Sequence, residues 1–310
     1  MKIKSLLIKG ILIAVCLLPI LSQSTYGQQD PLYAQYLNNP IVINPAYTGF
    51  NKLFNVTAQY RSQWGGFDNG SPQTALVSAH SSFFDNRAGA GLIIVHDQIG
   101  ISRNTEVSLT YSYKIGIGDY NISFGLQTGI INFRNDLTDL NPSDPTDELF
   151  LMNESTTQGN FGTGLIVSSE KLFFGLSIPR LVKNEIELAD INAVLRQRHF
   201  YVMMAYYMDL NLNVKFKPSI LLRAVDGAPA SVDYNVNFIV NRKYTIGLLT
   251  RNFDSYGLLM QFQLDEAYRF GYVFELPTGS SVGTNFTTHE ITLGLDFALF
   301  DFQEIFQRSF

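Results

Sequence analysis

The sequence predicts an all-β chain, a transmembrane antiparallel up-and-down β-barrel of about 14 strands. Three observations predict it. Apolar and polar residues alternate with period two over stretch after stretch. The connections between those stretches sort into a short class and a longer class. The composition is rich in aromatics, with 24 Phe and 16 Tyr, and only 16% of residues are charged. An average soluble domain carries roughly 25%.

Taken in order, the first element is a targeting segment. Lys2, Lys4 and Lys9 form a positive region, Ile11 to Leu21 an apolar one, and Thr25-Tyr26-Gly27 offers small residues at −3 and −1 for cleavage. Residues 1–27 therefore read as a signal peptide, and the mature chain as exported. The one cysteine, Cys16, lies inside the apolar region behind Val15. That excludes a disulfide framework and a cysteine-rich metal site, and the position is wrong for lipidation. A net charge of −5 without a basic stripe argues against nucleic acid as a partner. Past the signal, nothing approaches the ~18–20 apolar residues of a membrane-spanning helix. A soluble exported β-protein or a membrane barrel remains.

Residues 28–52 are too rich in Asn and Pro to join a sheet and read as an N-terminal periplasmic or lumen segment. The barrel is expected over 53–299. Strands are predicted near 53–62, 73–82, 87–97, 105–115, 120–132, 158–168, 171–178, 198–208, 213–224, 230–240, 243–251, 255–264, 267–276 and 289–299. Val107, Leu109, Tyr111, Tyr113 and Ile115, for example, alternate with Glu106, Ser108, Thr110, Ser112 and Lys114. The apolar set suits lipid and the Ser, Thr, Asn, Gln and Gly set suits a lumen. Pro218 falls inside a strand, where an edge or a bulge is expected. With the first strand running outward, the outer links are 62–73, 97–105, 133–157, 179–197, 225–229, 252–254 and 277–288. The inner ones (83–86, 116–119, 169–170, 209–212, 241–242 and 265–266) are all short. An even strand count returns both termini to the periplasm, and 300–310 is a C-terminal tail. A soluble sandwich has no reason to segregate its loops this way.

Several segments carry a resemblance. Gln29-Asp30-Pro31 through Gln35-Tyr36, then Asn44-Pro45-Ala46-Tyr47-Thr48-Gly49, resembles the N-terminal signature of the PorP/SprF family. The likeness continues in Tyr60-Arg61-Ser62-Gln63-Trp64-Gly65-Gly66-Phe67, Gly175-Leu176-Ser177-Ile178-Pro179, Lys217-Pro218-Ser219 and Ala224-Val225-Asp226-Gly227-Ala228-Pro229. Gly271-Tyr272 and Thr288-His289-Glu290-Ile291-Thr292-Leu293-Gly294 complete it. Two departures, Gly65 after the Trp and the Asp68-Asn69-Gly70-Ser71-Pro72 turn, fall in a surface loop. The resemblance implies a non-enzymatic outer-membrane barrel of the type IX secretion and gliding system of Bacteroidota, supporting export or surface anchoring of a large adhesin or linking the membrane to the periplasmic secretion machinery. Its partners would be a secreted adhesin with a type IX sorting domain, periplasmic or outer-membrane components of that system, and outer-membrane lipid. No cofactor is implied.

Candidate partner-binding residues are Gln35, Tyr36, Asn44, Pro45, Tyr47, Trp64 and Phe67. The first five belong to a segment that either docks a periplasmic partner or fills the lumen and closes the barrel floor. Trp64 and Phe67 flank Gly65-Gly66 and suit either an interface anchor or the aromatic girdle at the membrane surface. Asp136, Asp139, Asp144, Asp147 and Glu148 gather in one loop but lack calcium-loop spacing, so a solvated loop is expected. Arg180, Lys183, Arg196 and Arg198 give the other long loop a mixed charge. His80, His96, His199 and His289 sit on four different strands, and no catalytic or metal residue is assigned. A passive porin is the alternative function.

Overall fold

Alternation becomes two faces once the strands pair. The computed structural model describes residues 36, 38–65, 70–139, 153–182, 184–188, 191–196, 198–225, 228–265, 267–279, 286–300 and 303. The segment 1–27, Gln35, Phe67 and most of the tail lie outside them. The strands are β1 (Phe54–Gly65), β2 (Gln73–Phe83), β3 (Ala88–Ile99), β4 (Ser102–Ile117), β5 (Tyr120–Asn135) and β6 (Glu154–Ser168). There follow β7 (Leu172–Ile178), β8 (Asn184–Leu188), β9 (Ile191–Arg196), β10 (His199–Tyr206), β11 (Met208–Asp209) and β12 (Val214–Val225). The last are β13 (Ala228–Val240), β14 (Tyr244–Arg251), β15 (Ser255–Gln263), β16 (Tyr268–Pro277) and β17 (Thr287–Phe297). Neighbours pair antiparallel in chain order, β1 also pairs with β17, and β10 pairs with both β7 and β12. The ring is thus a closed barrel of 14 strands, with β10 and β11 sharing one place in it. The hairpin β8–β9 forms a separate small sheet. Closure matters because a strand edge in hydrocarbon would leave backbone groups unpaired.

The two faces are inverted relative to a soluble protein. On β4, Leu109 is 60% exposed while Ser108 is fully covered. Val107, Tyr111, Tyr113 and Ile115 point outward with Leu109, whereas Glu106, Thr110 and Ser112 point inward. Lipid is the solvent that rewards such an arrangement.

Three details depart from expectation. Pro218 marks neither an edge nor a bulge, since it pairs with Val236 in unbroken register. On its other side the pairs Ala205↔Ser219 and Met208↔Phe216 keep one register, and the ladder lapses only between them. A proline has no N–H to donate there, so one strand is split into β10 and β11. The outer link expected at 97–105 is a two-residue turn, because β3 and β4 stay paired up to Ile99↔Ser102. The β12–β13 hairpin is equally tight, pairing out to Val225↔Ala228. Loop length therefore segregates less sharply than predicted, although the long links from β5 to β6, β7 to β10 and β16 to β17 do join strand ends away from the termini. Those ends are the outer ones, since outer-membrane barrels keep their short turns in the periplasm. Finally, β4 and β5 run 16 residues each, well past the 9–11 needed to cross, while β14 has 8.

Candidate functional site: an occupied barrel interior

Residues 38–50 fold as two short 3-10 turns, Pro40–Val42 and Pro45–Tyr47, each opened by an Asn-Pro pair. Proline suits the first helical position because its missing N–H would have no partner there. The Asn44 side chain accepts from the Ala46 N–H at 3.0 Å, capping the second turn. Compacted in this way, the segment lies inside the barrel. Tyr36, Asn44, Pro45, Ala46 and Tyr47 are all buried.

The wall facing it is cut to fit. Three serines on three strands donate to three of its carbonyls: Ser177 to Ile43 at 2.6 Å, Ser123 to Ala46 at 2.7 Å and Ser112 to Thr48 at 2.6 Å. Asn44 Nδ2 donates to the carbonyls of Leu165 and Leu176, both at 3.2 Å. The Gly49 N–H donates to His80 Nδ1 at 3.1 Å, and Asn39 bonds Ser78 at 3.0 Å. Gly125 and Gly89 let the backbones meet, since a Cβ on either would collide with Ala46 or Thr48 main chain. Ile41, Ile43 and Tyr47 then pack on Ile93, Val95, Ile166, Phe173 and Met203. These inward apolar residues give the lumen a greasy patch on a face where alternation predicts mostly Ser, Thr, Asn, Gln and Gly. Across the lumen, Tyr36 Oη accepts from Asn235 Nδ2 at 2.6 Å. Burial pushes the Tyr36 and Tyr47 phenols above their ordinary range.

The opposite wall is filled by its own side chains. Arg61 donates to Glu290 and to Glu275, each at 2.8 Å, and Gln59 also bonds Glu290. Arg251 pairs with Asp233 at 2.8 Å, and Arg269 bonds Thr57 at 3.4 Å. Removed from bulk water, such charges persist because each carboxylate meets a guanidinium.

Of the remaining predicted residues, Trp64 stands half-buried at the outer end of β1, in a register shift between Ser62 and Gly65. Its φ of 55° is unusual for a bulky residue and holds the indole at the rim. Asp136 is buried between Arg103 at 2.7 Å and Arg134 at 2.6 Å, and Asp144, Asp147 and Glu148 lie outside the described residues. Arg180, expected on a surface loop, turns inward instead and meets Glu106 at 2.6 Å. His80 and His199 face inward. His96 bonds Thr105 on the outer face, and His289 sits between Tyr272 and Thr287. Among the described residues no group of three or more His, Cys, Asp or Glu is placed to hold a metal. Sequence reasoning missed the serine row, Gly89, Gly125 and Arg180. The available signal was small residues at inward parity on consecutive strands.

Known proteins can now be set beside this geometry. A family model for the type IX secretion system membrane protein PorP/SprF matches residues 25–295. No curated protein sequence matches the chain. Among solved structures, a TodX ΔS2S3 mutant described as a monoaromatic hydrocarbon channel is 9% identical with a TM-score of 0.50, covering 84% of this chain and 93% of its own. Omp33 of Acinetobacter baumannii is 8% identical with a TM-score of 0.47, covering 80% and 100%. A Pseudomonas aeruginosa FadL homologue is 9% identical with a TM-score of 0.49, covering 83% and 93%. At such identities the likeness is one of fold. The family model spans most of the sequence, and this outer-membrane barrel belongs to the PorP/SprF family of type IX secretion system membrane proteins.

Proposed function

We propose that this chain is a non-enzymatic platform that supports export or surface anchoring of one large adhesin bearing a type IX sorting domain. The carrying observation is the occupied lumen, in which residues 38–50 are bonded to the walls of β2 and β4–β7. A solute porin needs a water-filled path, and a polypeptide bonded across the interior works against one. A rigid anchor gains from it, because the filled barrel resists deformation under load.

In this reading residues 1–27 are removed on export, the described part of the 28–52 segment supplies the filling, the barrel falls within 53–299, and the C-terminal tail begins at the periplasmic rim. Gln303 supports the last point, since its side chain donates to Ser81 Oγ and the Ser82 carbonyl, both at 3.0 Å, beside the β2–β3 turn. Trp64 and Phe67 are the proposed outer anchors for the adhesin. Tyr36, Asn44, Pro45 and Tyr47 serve the partner indirectly by shaping the barrel from within, and Gln35, outside the described residues, stays a proposed partner contact on its sequence alone. The test is the surface and secreted proteome of a strain lacking the gene. Loss of one large adhesin is the expected result. Loss of all type IX cargo would make the protein a general component, and no change in either fraction would overturn the secretion role.

A further inference from the structure

The outer rim of the barrel steps down between β6 and β7. On one side β6 pairs with β5 in unbroken register out to Asn135↔Glu154. On the other it pairs with β7 only from Thr163↔Ile178 inward. Beyond that pair, the Leu181 N–H donates to the Phe161 carbonyl at 2.8 Å, the last main-chain bond along this edge among the described residues. The next strand in the ring, β10, meets β7 from Tyr201↔Ser177 inward, and the hairpin β8–β9 pairs only with itself. Parity then tells which groups are left open. The Ser169 N–H donates to the Leu172 carbonyl, so Ser169 and Phe161 both direct their main-chain groups to the β7 side. Such groups alternate along a strand. Ser155, Thr157 and Gly159 therefore direct theirs the same way, and among the described residues no strand lies there.

The edge stands beyond the lipid. On the outward face of β5, Phe124, Leu126 and Ile130 are exposed and apolar, and Asn132 and Arg134 follow them. Ile130 lies opposite Gly159 and Asn132 opposite Thr157, so the apolar belt ends where the open edge begins. Asn132 Nδ2 donates to Ser155 Oγ at 3.2 Å and to Thr157 Oγ1 at 2.8 Å on this exposed face. A Cβ added at Gly159 would touch nothing within 4 Å, so the outward flank is unobstructed. Exposed edges are ordinarily guarded by proline, lysine or a bulge. Glu154-Ser155-Thr156-Thr157-Gln158-Gly159 has none of the three, and its threonines favour an extended chain.

We infer that an extended strand of the exported partner adds to β6 at this edge, exchanging main-chain hydrogen bonds with Ser155, Thr157 and Gly159. Strand addition draws its affinity from main-chain bonds and its specificity from alternate side chains. Lipid cannot supply a row of alternating donors and acceptors, and another strand does. The neighbours on the outward face are Ser155, Thr157 and Asn132, so the occupant is a strand with small polar residues at every second position. The inference rests on the proposed platform role for the identity of that partner, while the open edge itself is a property of the barrel.

The experiment uses the full mature chain in detergent and a fluorescein-labelled peptide of alternating Thr and Gln, followed by anisotropy. The native protein should bind it saturably, and the same peptide N-methylated throughout should not bind. Thr157→Pro removes an N–H on the open side and leaves the β5 ladder its bonds, so it should weaken binding about tenfold or more. Thr157→Val keeps that N–H and should retain binding, and heat-modifiable gel mobility reports that each variant is folded. Absence of saturable binding, equal binding of the N-methylated peptide, or unchanged binding by Thr157→Pro would each overturn the inference. So would a dimer in detergent that Thr157→Pro converts to a monomer, which would give the edge to a second copy. In cells Thr157→Pro should abolish display of the adhesin that the null strain loses, and Thr157→Val should not. Normal display by Thr157→Pro would overturn the inference and leave the platform reading standing. An unaltered proteome in the null strain would remove the platform reading and the exported occupant together, whatever the peptide does.

Discussion

The two halves of the barrel interior solve the same problem in different ways. The wall of β4–β7 is lined with serine, glycine and aliphatic side chains and is completed by a foreign stretch of main chain. The wall formed by β13–β17 and β1 reaches inward with long charged side chains that neutralise one another. Small residues leave room, and room is useful only where a polypeptide will occupy it. Where none does, arginine and glutamate fill the space, because an empty apolar cavity and a lone buried charge are both costly. The interior chemistry of each strand therefore records what lies opposite it.

The sharpest test of the charged wall is Arg61→Met. It leaves Glu275 and Glu290 without their guanidinium, and a loss of about 3–5 kcal/mol is expected for a broken buried pair. Urea-induced unfolding in detergent, read by gel mobility, measures it, and a loss under about 1 kcal/mol would break the contrast. Next comes Gly125→Ala on the plug wall. Its methyl group collides with the Ala46 backbone, so about 1–3 kcal/mol is expected. Here the barrel should persist while residues 38–50 become protease-sensitive, which separates plug from barrel.

Asn44→Ala comes third. It removes a turn cap and two bonds to strand carbonyls, at about 1–2 kcal/mol, and limited proteolysis should again report on the segment rather than the barrel. Alkaline titration sharpens the comparison further. With Tyr36 and Tyr47 phenols raised, their contribution is whole below the ordinary value of about 10 and is lost as pH climbs through the folded values. Their phenolate absorbance should appear only with release of the plug, and both ionising near pH 10 in the folded protein would contradict their burial. The smallest effect is expected for Trp64→Gly, where relief of the left-handed conformation, about 1 kcal/mol, offsets lost indole contacts. Stability should barely change, and a fall in adhesin display would then assign the indole to partner contact.

Much of this was legible beforehand, and for a definite reason. Glu106 to Ile115 alternates so regularly that both strand and faces follow from it, because a period of two matches the pleat of a strand and not the turn of a helix. The Asn39-Pro40 and Asn44-Pro45 pairs placed their segment outside the sheet. Alternation does not say what lies against a face. Leu92-Ile93-Ile94-Val95 is one apolar run in which Ile93 and Val95 meet the plug and Leu92 and Ile94 meet lipid, and hydrophobicity does not distinguish the two. Arg180 follows a strand end in a long connection, the usual place for a solvated charge, yet Glu106 on a distant strand draws it inward.

The sequence by itself determined the strand number, the inward and outward faces, the closed barrel and the family, because each rests on local spacing or on motifs in chain order. Only the tertiary structure decided that residues 38–50 fill the lumen, that Ser112, Ser123 and Ser177 hold them there, and that Lys114 and Lys217 lie over aromatic rings. Those are contacts between residues far apart in the chain, and such contacts are set when the barrel closes and brings the strands around a common axis.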